Sequence, residues 1–282
     1  MHTNLDCYPC FLRQALSAAR RAGATPDLQR EILLETLERL HALPQEATPP
    51  IMADDIHRLV RTRTANPDPY REAKAEATRE ALALLPVLRE HVDRAADPLD
   101  IAVRIAIAGN IIDLGASETY DLDETLARVL AAPLAIDGLA ALRHALGSAK
   151  VVLYLADNAG ETVFDRVLIE HLDRPVTYVV KGGPIINDAT REDALAAGID
   201  RIAEIIDNGS QAPGTVLEQC AEPFRERFAE AELIIAKGQA NYETLSTVSA
   251  PVFFLLQAKC AVIAADLGVA SGALVVKGPT SS

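Results

Sequence analysis

A run of six apolar residues, 151–156, ends abruptly at Asp157 and Asn158. Continuous runs of this length are typical of strands buried on both faces, and therefore of a parallel sheet. A turn of small residues and a helical pattern follow this run. Because ligands of open α/β sheets bind just beyond the carboxyl ends of the strands, the turn is a candidate binding site. The alternative is an ordinary Asx turn in which Asp157 caps the following helix.

Four further apolar runs in the second half of the chain end in the same way. They cover residues 176–180, 202–206, 233–236 and 252–256, and a polar cluster follows each of them. Strands that alternate with helices are the pattern of βαβ units. Parallel strands would bring all five clusters to one edge of the sheet. This convergence favours a binding site over five separate turns.

The first half of the chain has the periodicity of helices. Thr-Pro pairs that begin at Thr25 and Thr48 predict two helix starts, since Thr caps a helix and Pro fits its first turn. A later, longer helix is predicted to break or kink at Pro86. The change from helical to alternating pattern predicts a helical N-terminal domain at residues 1–147 and an α/β domain at residues 148–282.

The chain is acidic, with 27 Lys and Arg residues against 40 Asp and Glu residues and a formal net charge of −13. Nucleic acids and anionic membranes bind basic surfaces, so neither is an expected partner. An acidic protein that binds a phosphorylated small molecule needs a metal ion or local dipoles to do so. The first residues lack the pattern of a signal peptide, and no charge-free apolar stretch reaches membrane-spanning length, so we expect a soluble cytoplasmic protein. The sequence does not indicate an oligomeric state.

Cys7 and Cys10 form a C-x-x-C pair, and Cys220 and Cys260 lie far from it in the chain. A cytoplasmic chain of this size is expected to carry thiols rather than a disulfide framework. The pair lies where a helix is predicted to begin, a position that favours the thiolate form. Cys7 and Cys10 therefore have either a redox or metal-binding role or a structural role as small residues that anchor the helix.

The polar clusters contain groups suited to a metal ion and a phosphate. Asp157, Asn158 and Asp188 offer two carboxylates and an amide, which suit Mg²⁺ or a similar cation. Lys237 and Lys259 would add positive charge for a phosphoryl group. A metal ion that offsets phosphate charge and activates water can drive hydrolysis at neutral pH. The reaction class that this set favours is metal-assisted hydrolysis of phosphomonoesters.

Asn110 and Asp113 follow an apolar helical stripe in the first half of the chain. Their spacing of three residues places them on one face if the helix continues. They either cap the end of this helix or face a site.

Seven segments, spread along nearly the whole chain, form a recognisable set. In chain order they are Cys7-x-x-Cys10, Asp68-Pro69-Tyr70 with Lys74, Gly109-Asn110-Ile111-Ile112-Asp113, Ala156-Asp157-Asn158-Ala159-Gly160-Glu161, Pro184 with Asn187-Asp188-Ala189-Thr190, Lys237-Gly238-Gln239-Ala240-Asn241-Tyr242-Glu243 and Ala258-Lys259-Cys260. Together these segments resemble the damage-control phosphatase family, which has also been labelled acidic-residue methyltransferase-like, metal-binding. The C-x-x-C pair resembles the stand-alone prokaryotic members of that family.

The resemblance implies a helical N-terminal region packed on an α/β/α three-layer domain with a mostly parallel sheet. It implies a divalent cation, Mg²⁺, Mn²⁺, Co²⁺ or Ni²⁺, held by Asp157, Asn158 and Asp188. The implied activity is phosphatase action on small phosphorylated metabolites such as sugar phosphates. Residues expected in the substrate pocket are Asn110, Glu161, Asn187, Lys237, Gln239 and Asn241, and those expected to take part in catalysis are Asp113, Asp188 and Lys259. Either Asp113 or Asp188 would orient the attacking water.

Two other functions stay open on these residues. The doubly wound half and the family's methyltransferase label fit an S-adenosylmethionine-dependent carboxylate methyltransferase, although no glycine-rich turn follows the first predicted strand. A non-enzymatic metal- or metabolite-binding protein would use Cys7 and Cys10 as a redox or metal switch. Glu161 and Gln239-Ala240 depart from the eukaryotic members of the family, so the substrate is not carried over from them.

Overall fold

A seven-stranded sheet forms the centre of the fold. The computed structural model describes residues 1, 3–44, 47–109 and 122–279. The strands are β1 (Leu134–Asp137), β2 (Val152–Leu155), β3 (Val176–Val180), β4 (Glu204–Asp207), β5 (Ile234–Lys237), β6 (Val252–Gln257) and β7 (Leu274–Lys277). The helices are α1 (Cys7–Arg21), α2 (Pro26–His41), α3 (Pro49–Thr64), α4 (Arg71–Asp93), α5 (Pro98–Ala108), α6 (Leu122–Ala131), α7 (Leu139–Ser148), α8 (Glu161–Ile169), α9 (Arg191–Ala196), α10 (Glu222–Glu230), α11 (Gly238–Leu245) and α12 (Ala261–Leu267).

The strand order is β1-β7-β6-β5-β2-β3-β4, and every neighbouring pair is parallel except the antiparallel pair β6–β7. Strands β2 to β6 are the five predicted from the apolar runs, and their parallel arrangement is confirmed. The sequence pattern does not predict β1 and β7. Strand β7, the last in the chain order given above, lies between β1 and β6. It therefore joins β1 to the rest of the sheet.

Helices cover both faces of the sheet, which confirms the predicted α/β/α layers. Successive residues of β2 alternate between the faces, so that Val152 and Tyr154 belong to one apolar core and Leu153 and Leu155 to the other. Helices α4, α5 and α8 pack into the first core, whereas α10, α11 and α12 pack into the second. The central strands are continuously apolar because both of their faces are buried.

Helices α1, α2 and α3 enclose a separate apolar cluster that includes Phe11, Ile32 and Ile56. Helices α4 and α5 contribute instead to the core on one face of the sheet. Strand β1 also precedes residue 147, so the sheet includes a strand from the region predicted to be helical. The division of the chain at residue 147 stays a prediction.

The limits of the helices agree with most of the predicted signals. Thr25 Oγ1 accepts a hydrogen bond from the backbone N–H of Leu28 at 3.3 Å, which confirms the predicted start of α2. Of the break or kink predicted at Pro86, the break is wrong, because α4 continues through this residue with Leu85 and Leu88 packed in the sheet core on either side. A kink there stays a prediction. Within the described ranges, no helix combines the length and the apolar character needed to cross a membrane.

Candidate active site

The sheet changes its direction of growth between β2 and β5, which are neighbours at its centre. From β2 the chain continues through α8 to β3 on one side, and from β5 it continues through α11 to β6 on the other. Helices α8 and α11 pack on opposite faces of the sheet. Such a switch point leaves a crevice at the carboxyl ends of the two strands, where open α/β proteins bind their ligands.

The three residues predicted to bind a metal come together at this crevice. Asp157 and Asn158 follow β2, and Asn158 forms an isolated antiparallel bridge with Asp188. The backbone carbonyl of Asp157 accepts a hydrogen bond from the N–H of Ala189 at 2.8 Å, which ties the two loops to each other. Helix α8 begins at Glu161 without a side-chain cap, so the alternative that Asp157 caps this helix is wrong.

Burial and mutual repulsion act on the carboxylates of the crevice. Burial raises the pKa of Asp157 well above its ordinary value, and the carboxylates of Glu161 and Asp188 raise it further. The ammonium groups of Lys259 and Lys237 act in the opposite direction on the same pKa. Burial also raises the pKa of Asp188 to about 6. The lysines therefore offset only part of the unfavourable environment of these carboxylates.

The donor set of the crevice fits a hard divalent cation. Asp188 Oδ2 is buried, the Lys181 ammonium lies 3.4 Å away, and no described residue gives this oxygen a hydrogen bond of good geometry. A divalent cation would offset the repulsion between the carboxylates and take up such an oxygen. Across the described residues, no three His, Cys, Asp or Glu side chains form a metal cage on their own. A site here would therefore combine two carboxylates with the Asn158 amide and leave other positions to water or substrate.

Gly238, the first residue of α11, allows the chain to pass close to Asp157. Its φ is +75°, a conformation that residues with a side chain rarely adopt. A Cβ atom at this position would lie 1.9 Å from Asp157 Oδ2 and 2.3 Å from its Cγ. Both the backbone conformation and the place of the Asp157 carboxylate therefore require glycine here.

Lys237 lies inside the protein, at the end of β5. Its side chain is fully buried, and its ammonium donates hydrogen bonds to Glu161 Oε2 at 3.0 Å and to Asp165 Oδ1 at 2.7 Å. Burial alone would lower the pKa of Lys237, but the Asp165 and Glu161 carboxylates raise it above its ordinary value. Lys237 thus holds two carboxylates of the protein, a placement that does not fit the predicted contact with a substrate phosphate.

Asp165 is a buried carboxylate that the sequence pattern does not single out. It accepts hydrogen bonds from the Tyr154 hydroxyl at 2.8 Å and the Tyr178 hydroxyl at 2.7 Å, in addition to the one from Lys237. The signal that could have found it is spacing. Asp165 lies four residues after Glu161, on the same face of a helix that is mostly apolar.

Two further lysines border the crevice. Lys259 is exposed in the loop after β6, where its ammonium can meet a ligand. Lys74 is buried on α4 and forms ion pairs with Asp68 at 3.1 Å and Asp193 at 3.4 Å, and its charge lowers the pKa of Asp188. The placement of Lys259 suits the predicted contact with a phosphate. Lys74, like Lys181, adds positive charge next to Asp188.

The other residues predicted to line the substrate pocket differ in exposure. Asn187 is exposed and Gln239 is half-buried, so both are open to contact with a ligand. Asn241 is fully buried, and its amide nitrogen donates to the backbone carbonyls of Ala156 at 3.1 Å and Lys237 at 2.8 Å. This residue ties β2 to β5 at the crevice, and its direct contact with substrate stays a prediction.

Two pairs of predicted residues stand apart from these contacts. Asn110 and Asp113 lie outside the described residues, so their place in the pocket stays a prediction. Cys7 and Cys10 lie in the first turn of α1, and both are half-buried free thiols. Burial raises the pKa of Cys7, and the Glu243 carboxylate adds to this effect, which is opposite to the expected gain in thiolate character. A redox or metal-binding role for the pair stays a prediction.

Comparison with known proteins finds matches over almost the entire chain. The family model described as the damage-control phosphatase ARMT1-like domain matches residues 3–275. A damage-control phosphatase of Archaeoglobus fulgidus is 38% identical over 283 residues, which cover 96% of this chain and 97% of the relative. A damage-control phosphatase of Pyrococcus horikoshii is 33% identical over 282 residues, which cover 98% and 97%. An uncharacterized protein of Methanocaldococcus jannaschii is 38% identical over 280 residues, which cover 95% and 92%.

The fold is shared with a solved structure. The crystal structure of a DUF89 family protein from Pyrococcus horikoshii has a TM-score of 0.93 and 32% sequence identity to this chain. The match covers 99% of this chain and 100% of the other. It confirms the α/β fold class independently of the pattern of apolar residues.

Proposed function

The chain belongs to the damage-control phosphatase family, and from this premise we propose that it is a metal-dependent phosphatase of small phosphorylated metabolites such as sugar phosphates. Two relatives that match it over nearly their full length are named damage-control phosphatases, which supports phosphatase-type metabolite repair. The observation that carries the metal-dependent part is the crevice itself. Burial and the neighbouring carboxylates of Glu161 and Asp188 raise the pKa of Asp157 there, next to an exposed lysine.

The residues that would hold the cation are Asp157, Asn158 and Asp188. Their two carboxylates and one amide match the preference of Mg²⁺ and Mn²⁺ for oxygen ligands. Burial, together with the carboxylates of Glu161 and Asp188, raises the pKa of Asp157, and a cation would offset this unfavourable placement of charge, which supports the assignment. When bound, the cation would supply positive charge against the phosphate oxygens and make a water molecule more acidic.

Lys259 would bind the phosphate oxygens from the open side of the crevice. It is exposed on the loop after β6, and its charge already acts on Asp157. A lysine ammonium beside a phosphate offsets the charge of the reacting group. Lys74 is buried and holds the carboxylates of Asp68 and Asp193, so it would add positive charge near Asp188 rather than touch the phosphate.

Asp188 would accept the proton of the attacking water. In the hydrolysis, the water oxygen bonds to phosphorus, the bond from phosphorus to the ester oxygen breaks, and the ester oxygen takes up a proton from solvent, so that inorganic phosphate and an alcohol are released. A general base must lie within hydrogen-bond reach of the proton that it accepts, and Asp188 lies at the crevice, bridged to Asn158. Asp113 is the second candidate for this role and lies outside the described residues.

The proposal is tested with the purified protein after treatment with a chelator. p-Nitrophenyl phosphate and a panel of sugar phosphates are assayed with Mg²⁺, Mn²⁺, Co²⁺ or Ni²⁺, and phosphate release is expected only with added metal. Asp157→Ala should lower kcat/KM by about 100-fold or more, since it removes a charge that holds the cation. Asp207→Ala is the control, because Asp207 is an exposed carboxylate at the end of β4.

Full metal-dependent activity in Asp157→Ala would rule out the proposed site. Tight binding of S-adenosylmethionine without metal, together with no phosphate release from any member of the panel, would favour the carboxylate methyltransferase instead. Binding of cations without turnover of any ester would favour a non-enzymatic metal-binding protein.

A further inference from the structure

A series of buried hydrogen bonds begins inside the sheet, beneath the crevice. Tyr154 on β2 and Tyr178 on β3 are register partners with stacked rings 5.4 Å apart. Their hydroxyl groups donate to the two oxygens of Asp165 on α8, at 2.8 Å and 2.7 Å. All three side chains are fully buried, so Asp165 is held by two rigid strands.

The series continues through Lys237 to Glu161. The Lys237 ammonium donates to Asp165 Oδ1 at 2.7 Å and to Glu161 Oε2 at 3.0 Å, so it lies between two carboxylates on the same face of α8. Glu161 and Lys237 are 2% and 0% exposed. Contacts of this kind, made away from water, are held more rigidly than the ion pairs of a protein surface.

The last contact of the series is made with Asn158. Its amide nitrogen donates to Glu161 Oε1 at 2.6 Å and lies 3.3 Å from Asp157 Oδ2. Because the amide group is planar, a fixed nitrogen also fixes the direction of the carbonyl oxygen Oδ1. That oxygen accepts no hydrogen bond from the described residues, and oxygen is the amide atom that binds a cation.

We infer that Asp165 and Lys237 are positioning residues, which hold Glu161 so that Asn158 presents its carbonyl oxygen to the cation. This inference rests on the proposed metal-dependent function. Partners behind the direct ligands of a metal commonly set their orientation, and their loss weakens metal binding about 10–100-fold. A buried ionic group is a costly way to stabilise a core, so orientation explains this one better than stability does.

The test is a titration of the metal-free protein with Mn²⁺, followed by calorimetry, for wild type and Asp165→Asn. The variant keeps the shape of the side chain but removes the charge that fixes Lys237. We expect its affinity for Mn²⁺ to fall about 10–100-fold. At saturating Mn²⁺, kcat should return to within about threefold of wild type, because the direct ligands and Lys259 are unchanged.

Asp266→Asn is the control for the loss of a carboxylate that accepts from a tyrosine, at an exposed position. Asp266 also accepts a hydrogen bond from a tyrosine hydroxyl, that of Tyr242 at 2.8 Å, but it has no part in the series that leads to Asn158. Its Mn²⁺ affinity should equal that of wild type. If Asp165→Asn does not fold, Tyr178→Phe removes one hydrogen bond at the start of the series and should weaken Mn²⁺ binding several-fold.

Folded variants of Asp165 or Tyr178 that bind Mn²⁺ as tightly as wild type, with only a lower thermal midpoint, would overturn the positioning role and leave the phosphatase proposal intact. A different result would overturn the phosphatase proposal and leave the positioning role intact. A wild-type protein that binds Mn²⁺ but hydrolyses no phosphomonoester would overturn the phosphatase, whereas weaker binding in Asp165→Asn would still support the positioning role.

Discussion

The dipeptide Asp-Asn occurs twice at the carboxyl end of a parallel strand, with different results. Asp157 and Asn158 follow β2, which lies in the middle of the sheet between β5 and β3. Asp207 is the last residue of β4, which is an edge strand, and Asn208 follows it. Asp157 is buried and its pKa is raised by burial and by nearby carboxylates, whereas Asp207 is exposed and accepts a hydrogen bond from the Gly209 N–H at 3.1 Å.

The difference lies in what the neighbouring elements bring to each dipeptide. The amide nitrogen of Asn158 is held by Glu161, whereas the Asn208 side chain accepts from the backbone N–H of Ser210 at 3.0 Å, as in an ordinary Asx turn. A central strand has neighbours on both sides, and their loops add further charged groups. The same two residues can therefore form a turn at the edge of a sheet and a ligand site at its centre.

The largest expected difference between the two dipeptides concerns the glycine next to each: Gly238, which contacts Asp157 in space, and Gly209, which follows Asn208 in the chain. Gly238 and Gly209 both have positive φ, and an added Cβ would lie 1.9 Å from Asp157 Oδ2 in one case and 2.6 Å from the Ala221 Cβ in the other. Each Gly→Ala variant should lower the free energy of unfolding by about 2–4 kcal/mol, as measured in urea. Only Gly238→Ala should also lower kcat/KM of the folded fraction, by about 100-fold, because it displaces Asp157.

A similar loss of kcat/KM in folded Gly209→Ala would contradict the claim that only the central dipeptide takes part in the reaction. It would mean that the turn after β4 also contributes to activity. The activity of each variant is corrected for its folded fraction at the assay temperature.

A somewhat smaller effect is expected from the pH dependence of stability in the metal-free protein. The pKa of Asp188 is raised from 3.8 to about 6 by burial, so this residue favours the folded state at low pH and that benefit is lost as pH rises from about 4 to 6. Asp188→Asn stays neutral, and at pH 7 it should be more stable than wild type by about 3 kcal/mol. The difference should vanish near pH 4 in urea titrations with chelator present.

Asp207→Asn serves as the reference for this measurement, because the Asp207 carboxylate is exposed. It should follow the wild-type pH curve within about 0.5 kcal/mol. If Asp188→Asn also followed the wild-type curve, the crevice would be less crowded with charge than its geometry indicates.

The smallest expected effect is the stability gained on adding metal. Mn²⁺ at a concentration 100-fold above its dissociation constant should stabilise wild type by about 2.7 kcal/mol, since it binds only the folded state. Asp157→Asn should lose most of this gain at the same Mn²⁺ concentration, whereas Asp207→Asn should keep it. Unfolding curves with Mn²⁺ and with chelator measure both; an equal gain in the two variants would remove the functional distinction between the dipeptides.

The fold is largely predictable because buried elements leave regular apolar patterns in the sequence. Strands β2 to β6 lie within the five apolar runs or overlap them, and all five are found in the sheet. Strands β1 and β7 are no shorter than β2, β4 and β5, so length is not the reason they escape prediction. Strand β1 alternates half-buried and exposed residues and so lacks a continuous apolar run, and no helix among the described residues follows β7 to complete a strand–helix pattern. The continuous helix at Pro86 shows that packing against the sheet can override a local breaking signal.

The site is predictable at Asp157, Asn158 and Asp188, whose meeting at one crevice follows from parallel strands. It is less so at Lys237, where the apolar run ends at residue 236 but the strand ends one residue later. Lys237 is therefore the last residue of the strand rather than the first of the loop, and its ammonium lies inside the protein. There it contacts Asp165 instead of the predicted substrate phosphate. The burial of Asp165 itself depends on two tyrosines from paired strands, and strand pairing leaves no mark in the sequence of one chain.

The position of β7 between β1 and β6 has a consequence for synthesis of the protein on the ribosome. Until β7 has emerged, β1 has no partner strand and β6 presents an open edge, although α1, α2 and α3 can already gather around their own apolar cluster. Open edges of this kind invite pairing with other chains. A nascent chain halted before residue 274 would therefore leave β1 unpaired and β6 exposed as an edge in addition to β4, and the addition of β7 covers β6 and gives β1 its partner.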